Sequence, residues 1–184
     1  TLMGSRCVAI GWRALSTIAS SSSNCHVCIG VNAGQGIGSI GTPNYNVCIG
    51  HQAGQGMTSG SNNICFGVNG GQNVTTGSNN IAIGTTVHTT AMANSDTTSI
   101  GRAALANTTG SIAIGLCSRA TTGTNVIAIG TCSEATGAYS VAIGRCAFCS
   151  VLSGVALGFG ACATGGNSAI AIGRSASTST ASSI

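Results

Sequence analysis

A short β-branched strand closed by glycine, mostly (Val/Ile)-(Ala/Cys)-Ile-Gly, recurs eleven times in 184 residues, and that recurrence restricts the chain to a stacked architecture. The closing glycines are Gly11, Gly30, Gly50, Gly67, Gly84, Gly101, Gly115, Gly130, Gly144, Gly158 and Gly173, at intervals of 19, 20, 17, 17, 17, 14, 15, 14, 14 and 15 residues. A unit this short makes one coil whose apolar edge is covered only by its neighbours. The spacing therefore predicts an all-β parallel β-solenoid, or β-roll, of about eleven rungs. Helix is the losing alternative, because Ser, Thr, Gly, Asn and β-branched residues dominate and no apolar stripe of 3.6-residue period appears.

The repeat runs from Val8 to Ile172 without a linker or a charge block, which predicts a single repeat domain over 1–184. Its rungs are longer, at 17–20 residues, over 1–101 and regular, at 14–15 residues, over 102–184. The chain opens on Thr1 and closes on a rung cut before its glycine, so it reads as a piece of a longer fibre.

Alternation within each strand puts two branched residues on one face, as in Val27 and Ile29 or Val141 and Ile143, with a small residue between them. That central column is restricted to Ala, Cys and Ser, which suggests that it is covered closely by another chain or layer. A coil of 14 residues encloses little core of its own, so lateral association into a homotrimer is expected. A second, mostly small column three residues past each glycine, such as Ala33, Ala53, Ala104 and Ala147, reads as the start of a thinner second strand. Ser-Gly or Thr-Gly pairs mark the far turn, and the extra residues of the long rungs, including Gly-Ser-Asn-Asn before Ile64 and Ile81, are expected to form loops on one exposed side.

The charged residues are few: Asp96 and Glu134 against six arginines, with no lysine. A net charge of +4 spread along such a chain is too dilute to track phosphates, so no nucleic-acid partner is expected. Nor does any apolar run approach the ~20 residues of a membrane helix, and no membrane insertion is expected of this segment. The two carboxylates lie on different rungs, so paired acid–base chemistry has no partners, and the Gly-rich runs open no helix that would cradle a phosphate. No enzyme activity and no cofactor are expected.

Ten cysteines remain to be explained. Cys28, Cys48 and Cys65 replace Ala in the central column and read as small buried hydrophobes. Cys117, Cys132 and Cys146 fall two residues past consecutive glycines and should stack as a ladder of free thiols, since in-register Cβ vectors run parallel. Cys25-x-x-Cys28 and Cys146-x-x-Cys149 are seven rungs apart, so one chain cannot gather four ligands from them. Cys25, His26 and Cys28 stay a metal candidate only if a threefold axis brings copies of them together.

Arg102, Arg145 and Arg174 share the column directly after the glycine with Trp12, His51 and Phe159. This is either an exposed column with solubilising charge or a mixed aromatic and basic ridge that contacts glycan or a neighbouring component. Tyr45, His51, Asn62 and Asn63, in the longer-rung half between Trp12 and Asn80, complete the candidate contact surface.

The later rungs, such as Glu134-Ala135-Thr136-Gly137-Ala138-Tyr139-Ser140-Val141-Ala142-Ile143-Gly144, resemble the head repeats of trimeric autotransporter adhesins of the Yersinia adhesin type. The resemblance implies a left-handed parallel β-roll with three chains about a common axis. The longer rungs, with Gly77-Ser78-Asn79-Asn80-Ile81-Ala82-Ile83-Gly84, more closely resemble repeats of bacteriophage tail fibres and of fibre-like proteins of large viruses. Adhesin heads rarely contain cysteine, whereas virions assemble in reducing cytoplasm where free thiols persist. The expectation is therefore a structural, receptor-binding segment of a trimeric viral or phage fibre on the virion surface, joined to other fibre segments and contacting a host-surface glycan or protein. The alternatives are an adhesin head on a bacterial cell surface and an ice-binding solenoid. Against the last, the Ser/Thr column lies at a turn and is broken by changes in rung length.

Overall fold

A computed structural model describes residues 6–17, 24–72, 74–87 and 93–179, and among these every regular element is a strand. The architecture is a parallel β-solenoid of eleven turns. The chain divides into two compact units, Thr1–Asp96 and Thr97–Ile184, at a boundary just before Gly101, where the rung length changes.

The first unit carries five three-residue strands: β1 (Val8–Ile10), β2 (Val27–Ile29), β3 (Val47–Ile49), β4 (Ile64–Phe66) and β5 (Ile81–Ile83). They pair in parallel and in strict register, so that Cys28 lies beside Cys48 and Cys48 beside Cys65. The second unit has six such strands, β6 (Thr98–Ile100), β8 (Ile112–Ile114), β10 (Ile127–Ile129), β12 (Val141–Ile143), β14 (Val155–Leu157) and β16 (Ile170–Ile172). Between them run two-residue strands, β7 (Leu105–Ala106), β9 (Arg119–Ala120), β11 (Glu134–Ala135), β13 (Phe148–Cys149), β15 (Cys162–Ala163) and β17 (Ser177–Thr178), which form a second parallel sheet.

Each strand turns its small central residue inward and its two branched residues outward. Cys28, Cys48, Cys65, Ala113, Ala128 and Ala142 are fully buried within the chain, whereas Ile10 is 58% exposed and Ile172 64%. Of the two covers expected for the small column, another chain or another layer, the structure shows a layer of the same chain. The wall opposite is also made of small residues, Ala104, Ser118, Ser133, Ala147 and Ala161 and then Ala106, Ala120, Ala135 and Ala163, all buried. Walls this close leave room for only a small side chain at the strand centre, so the branched side chains on either side of it face out.

The second strand begins four residues past the glycine, one later than the small column suggested, and among the described residues it occurs only in the second unit. In the first unit the equivalent stretch turns instead, with Gly34 and Gly54 at φ +59° and +60° beneath the strand cysteines. A Cβ on Gly54 would stand 2.5 Å from Cys48 Sγ. The longer path bends around buried Ile37, Met57 and Val74, which widen the interior.

The closing glycines are required by geometry. Gly130 has φ +131°, and a Cβ there would meet the Gly144 carbonyl oxygen at 2.5 Å. Two residues on, the chain takes the left-handed conformation again, usually without glycine: Asn32, Gln52, Asn69, Cys117, Cys132 and Cys146 all have φ between 54° and 56°. There the amide donates to the preceding rung, as Cys132 does to the Leu116 carbonyl at 2.8 Å, which fixes the corner in register.

Polar ladders line the long rungs. The Gly-Ser-Asn-Asn runs lie in the wall, where loops were expected: the Ser61 amide donates to Ser78 Oγ at 3.0 Å, and the Ser78 amide to Ser95 Oγ at 3.0 Å. The Gln35 and Gln55 side-chain amides also stack, 2.9 Å apart. These bonds meet the rule that buried polar groups be paired, and they lock each rung to the next.

Candidate functional site

The residue before each strand in the first unit points inward and forms a continuous polar column, Cys7, His26, Asn46, Asn63 and Asn80. The His26 amide donates to Cys7 Sγ (3.4 Å) and the Asn46 amide to His26 Nδ1 (3.3 Å). The Asn63 amide then donates to Asn46 Oδ1 (2.9 Å) and the Asn80 amide to Asn63 Oδ1 (2.9 Å). Asn63 Nδ2 also donates to the Gly77 carbonyl at 2.9 Å, so the side chain bonds in both directions. Asn63 was expected on the contact surface. It is instead fully buried, and its work is structural.

The metal candidate is likewise divided. His26 and Cys28 are buried in the interior, in two adjacent columns, and Cys25 is half-buried at a left-handed corner of φ 61°. Burial lowers the pKa of His26, partly opposed by its hydrogen bond with the Pro43 backbone. Among the described residues, no three His, Cys, Asp or Glu side chains gather within reach of one ion. No disulfide joins any of the ten cysteines. Cys48 is pushed well above the usual thiol range, first by its hydrogen bonds with Cys28 and Cys65 and then by burial. Such thiols are poor nucleophiles.

The other candidate residues reach the surface. Trp12 is 64% exposed, with the Arg13 guanidinium 5.2 Å from its ring. His51 follows it in the same exposed column, two rungs on, beyond Val31. Tyr45 projects from a left-handed corner of φ 57°. Asn62 lies one corner along and donates to Asn79 Oδ1 at 3.2 Å, and Asn79 donates to Asp96 Oδ1 at 3.0 Å. This exposed amide ladder was legible in the 17-residue spacing of Asn62, Asn79 and Asp96, but only Asn62 and Asn63 were singled out.

In the second unit Arg102, Arg145 and Arg174 are exposed in the column after the glycine. Phe159 stands on the rung between Arg145 and Arg174, and their guanidinium carbons lie 5.5 Å and 5.7 Å from its ring centre. The mixed aromatic and basic ridge is thus a physical arrangement: one ring clasped by two cations. The only ion pair among the described residues, Arg119 with Glu134 at 3.6 Å, lies on the second sheet and leaves this ridge unneutralised.

Sequence reasoning placed the branched strand residues on a common face but did not recognise that face as the outer one. Val8, Ile64 and Phe66 in the first unit, and Leu157 and Ile172 in the second, stand exposed in columns that hold no charged residue. No helix among the described residues is long and apolar enough to cross a membrane. No protein-family model, curated protein or solved structure matches the chain.

Proposed function

We infer that this chain is a structural, receptor-presenting segment of a trimeric viral or phage fibre, non-enzymatic and displayed on the virion surface. The observation that carries the reading is the outward apolar face of the strands. The first strand position is Val or Ile on every rung but one, Thr98, and the third is Ile, Leu or Phe throughout. Left wet, such columns are a liability, and a second and third copy of the same chain cover them with the same periodicity. The threefold axis and the left-handed winding come from the resemblance to adhesin heads and viral fibres. The free thiols fit assembly in a reducing compartment better than export. The outward strand columns are mostly Val and Ile on one sheet and Leu105, Arg119, Glu134, Phe148, Cys162 and Ser177 on the other, so neither offers the hydroxyl array that ice binding needs.

Sedimentation should give three chains per particle, and Ile143→Lys, on the outward face, should give folded single chains. A stable wild-type monomer would overturn the assembly. An antibody to this segment should label slender projections on virus particles under the electron microscope; labelling confined to bacterial surfaces would move the reading to an adhesin head.

A further inference from the structure

We propose that the Arg145–Phe159–Arg174 ridge is a binding site for an acidic glycan, a linear saccharide bearing carboxylate or sulfate groups. The three residues occupy the same position on consecutive rungs. Their backbone is held in register by amides that donate to the preceding rung, Gly160 to the Arg145 carbonyl at 2.9 Å and Ser175 to the Phe159 carbonyl at 2.8 Å. Phe159 holds both guanidiniums by cation–π attraction, which restricts two side chains that are otherwise rich in rotamers. Neither arginine meets a carboxylate among the described residues, since Glu134, the only acid of the second unit, pairs with Arg119. Two restrained, unneutralised cations therefore stand side by side on an exposed surface, each able to take an oxyanion with its planar fork.

Their spacing selects the ligand. At ~4.8 Å per rung the two guanidiniums lie roughly 10 Å apart along the stack, and Arg102 follows three rungs before Arg145, at roughly 14 Å. The shorter separation is of the order of one disaccharide, so a polymer with one acidic group per disaccharide, running parallel to the stack, meets Arg145 and Arg174 with successive groups. Nucleic acid carries a charge every ~1.7 Å of duplex and would leave most of its phosphates unmet. A peptide would look for a strand edge, but the backbone of this column is already consumed by the rung ladder, so only side chains are on offer.

The inference deepens the fibre reading by naming a ligand class. It rests on that reading only for multivalency, because three copies of the ridge would bind with avidity whereas one chain presents the same site weakly.

The test is binding of the intact chain to immobilised heparin, hyaluronan and neutral dextran across a salt series, with sedimentation run on the same samples. The expected result is salt-sensitive retention on heparin, on hyaluronan or on both, and none on dextran. Heparin alone would assign sulfate and hyaluronan alone carboxylate. The Arg145→Ala/Arg174→Ala pair should weaken binding at least tenfold, Phe159→Leu should weaken it less, and Arg119→Ala, on the other sheet, should leave it unchanged, all with wild-type circular dichroism. No retention, retention unaffected by the double variant, or equal retention on polyglutamate or single-stranded DNA would overturn the proposal. A trimer that ignores both acidic glycans overturns this site alone, and a monomer that binds them through the two arginines overturns the trimeric assembly alone.

Discussion

The two units close the same coil with different interiors. In the second, columns of mostly Ala and Ser meet across a narrow gap, and a second sheet of two-residue strands forms part of the far wall. In the first, the described residues of the longer rungs form no second sheet; Ile37, Met57 and Val74 fill a wider space, and His26, Asn46, Asn63 and Asn80 stack as a buried hydrogen-bonded column. The extra residues of a long rung thus bring their own hydrogen-bond partners. A wider coil exposes backbone groups that no neighbouring strand reaches, and a polar side chain on each rung in turn, Cys7, His26, Asn46 and Asn63, accepts from the next rung's amide. A narrow coil meets the same need with short hydroxyls, as where Ser99 Oγ accepts from the Ala106 amide at 2.9 Å, and its central column tolerates no added volume.

That contrast is broken most severely in the narrow half. Ala128 is fully buried between two small walls, and Ala128→Phe should destabilise the protein by more than about 3 kcal/mol, enough to lose the folded state in a thermal melt followed by circular dichroism. Thr124, exposed at the far turn, should accept substitution without a measurable shift. If Ala128→Phe melts like the wild type, the interior is wider than described.

In the wide half the sensitivity should be to polarity. Asn63→Ala strips the Asn80 amide and the Gly77 carbonyl of their partner, and with about 1–3 kcal/mol for each buried group left unpaired the cost should be on the order of 3 kcal/mol in urea titration. Asn63→Asp keeps the acceptor but not the donor and should recover only part of this. A cost below about 1 kcal/mol would show that water substitutes for the ladder.

A pH effect should come from the same column. Burial lowers the His26 pKa, so below about pH 6.5 the unfolded chain takes up a proton that the folded chain resists. The contribution is fully present above that pH and is lost as the pH falls below it, by up to about 1.4 kcal/mol per unit. His26→Asn, which extends the asparagine column without a titrating group, should flatten stability between pH 6.5 and 5. An equal slope in this variant would assign the effect elsewhere.

The smallest effect tests the corners that both halves share. Cys132 holds a left-handed φ of 54° with its side chain exposed, so Cys132→Gly should relieve the strain of a Cβ there, offset in part by the freedom glycine gains when unfolded. A net gain of about 0.5 kcal/mol is expected, and a loss would show that the thiol makes a contact of its own.

Much of the rung was legible in the residues. The glycine column, the three-residue strands, their register and the thiol column at Cys117, Cys132 and Cys146 all follow from spacing, because a parallel in-register stack places every equivalent residue in one vertical line. The ridge was legible as a column too, though not that Phe159 lies within cation–π distance of both arginines. What misled was the small central residue. A column of Ala and Cys is equally the mark of a close neighbouring chain and of a thin interior, and strand alternation tells two faces apart without saying which is inside. Asn62 and Asn63, adjacent and chemically identical, received opposite fates for the same reason: one faces solvent and the other ends in the buried column.

By itself, then, the sequence determined the repeat, its parallel stacking and the change of rung length near Gly101, since these depend on periodicity and on where a Cβ is tolerated. Only the tertiary structure decided which side of each strand is core, which asparagines are ladder rungs and where a second sheet forms, because these depend on how far apart the opposing walls stand. That distance is set by the whole closed turn, through the volume of every residue lining it, and no local pattern encodes it.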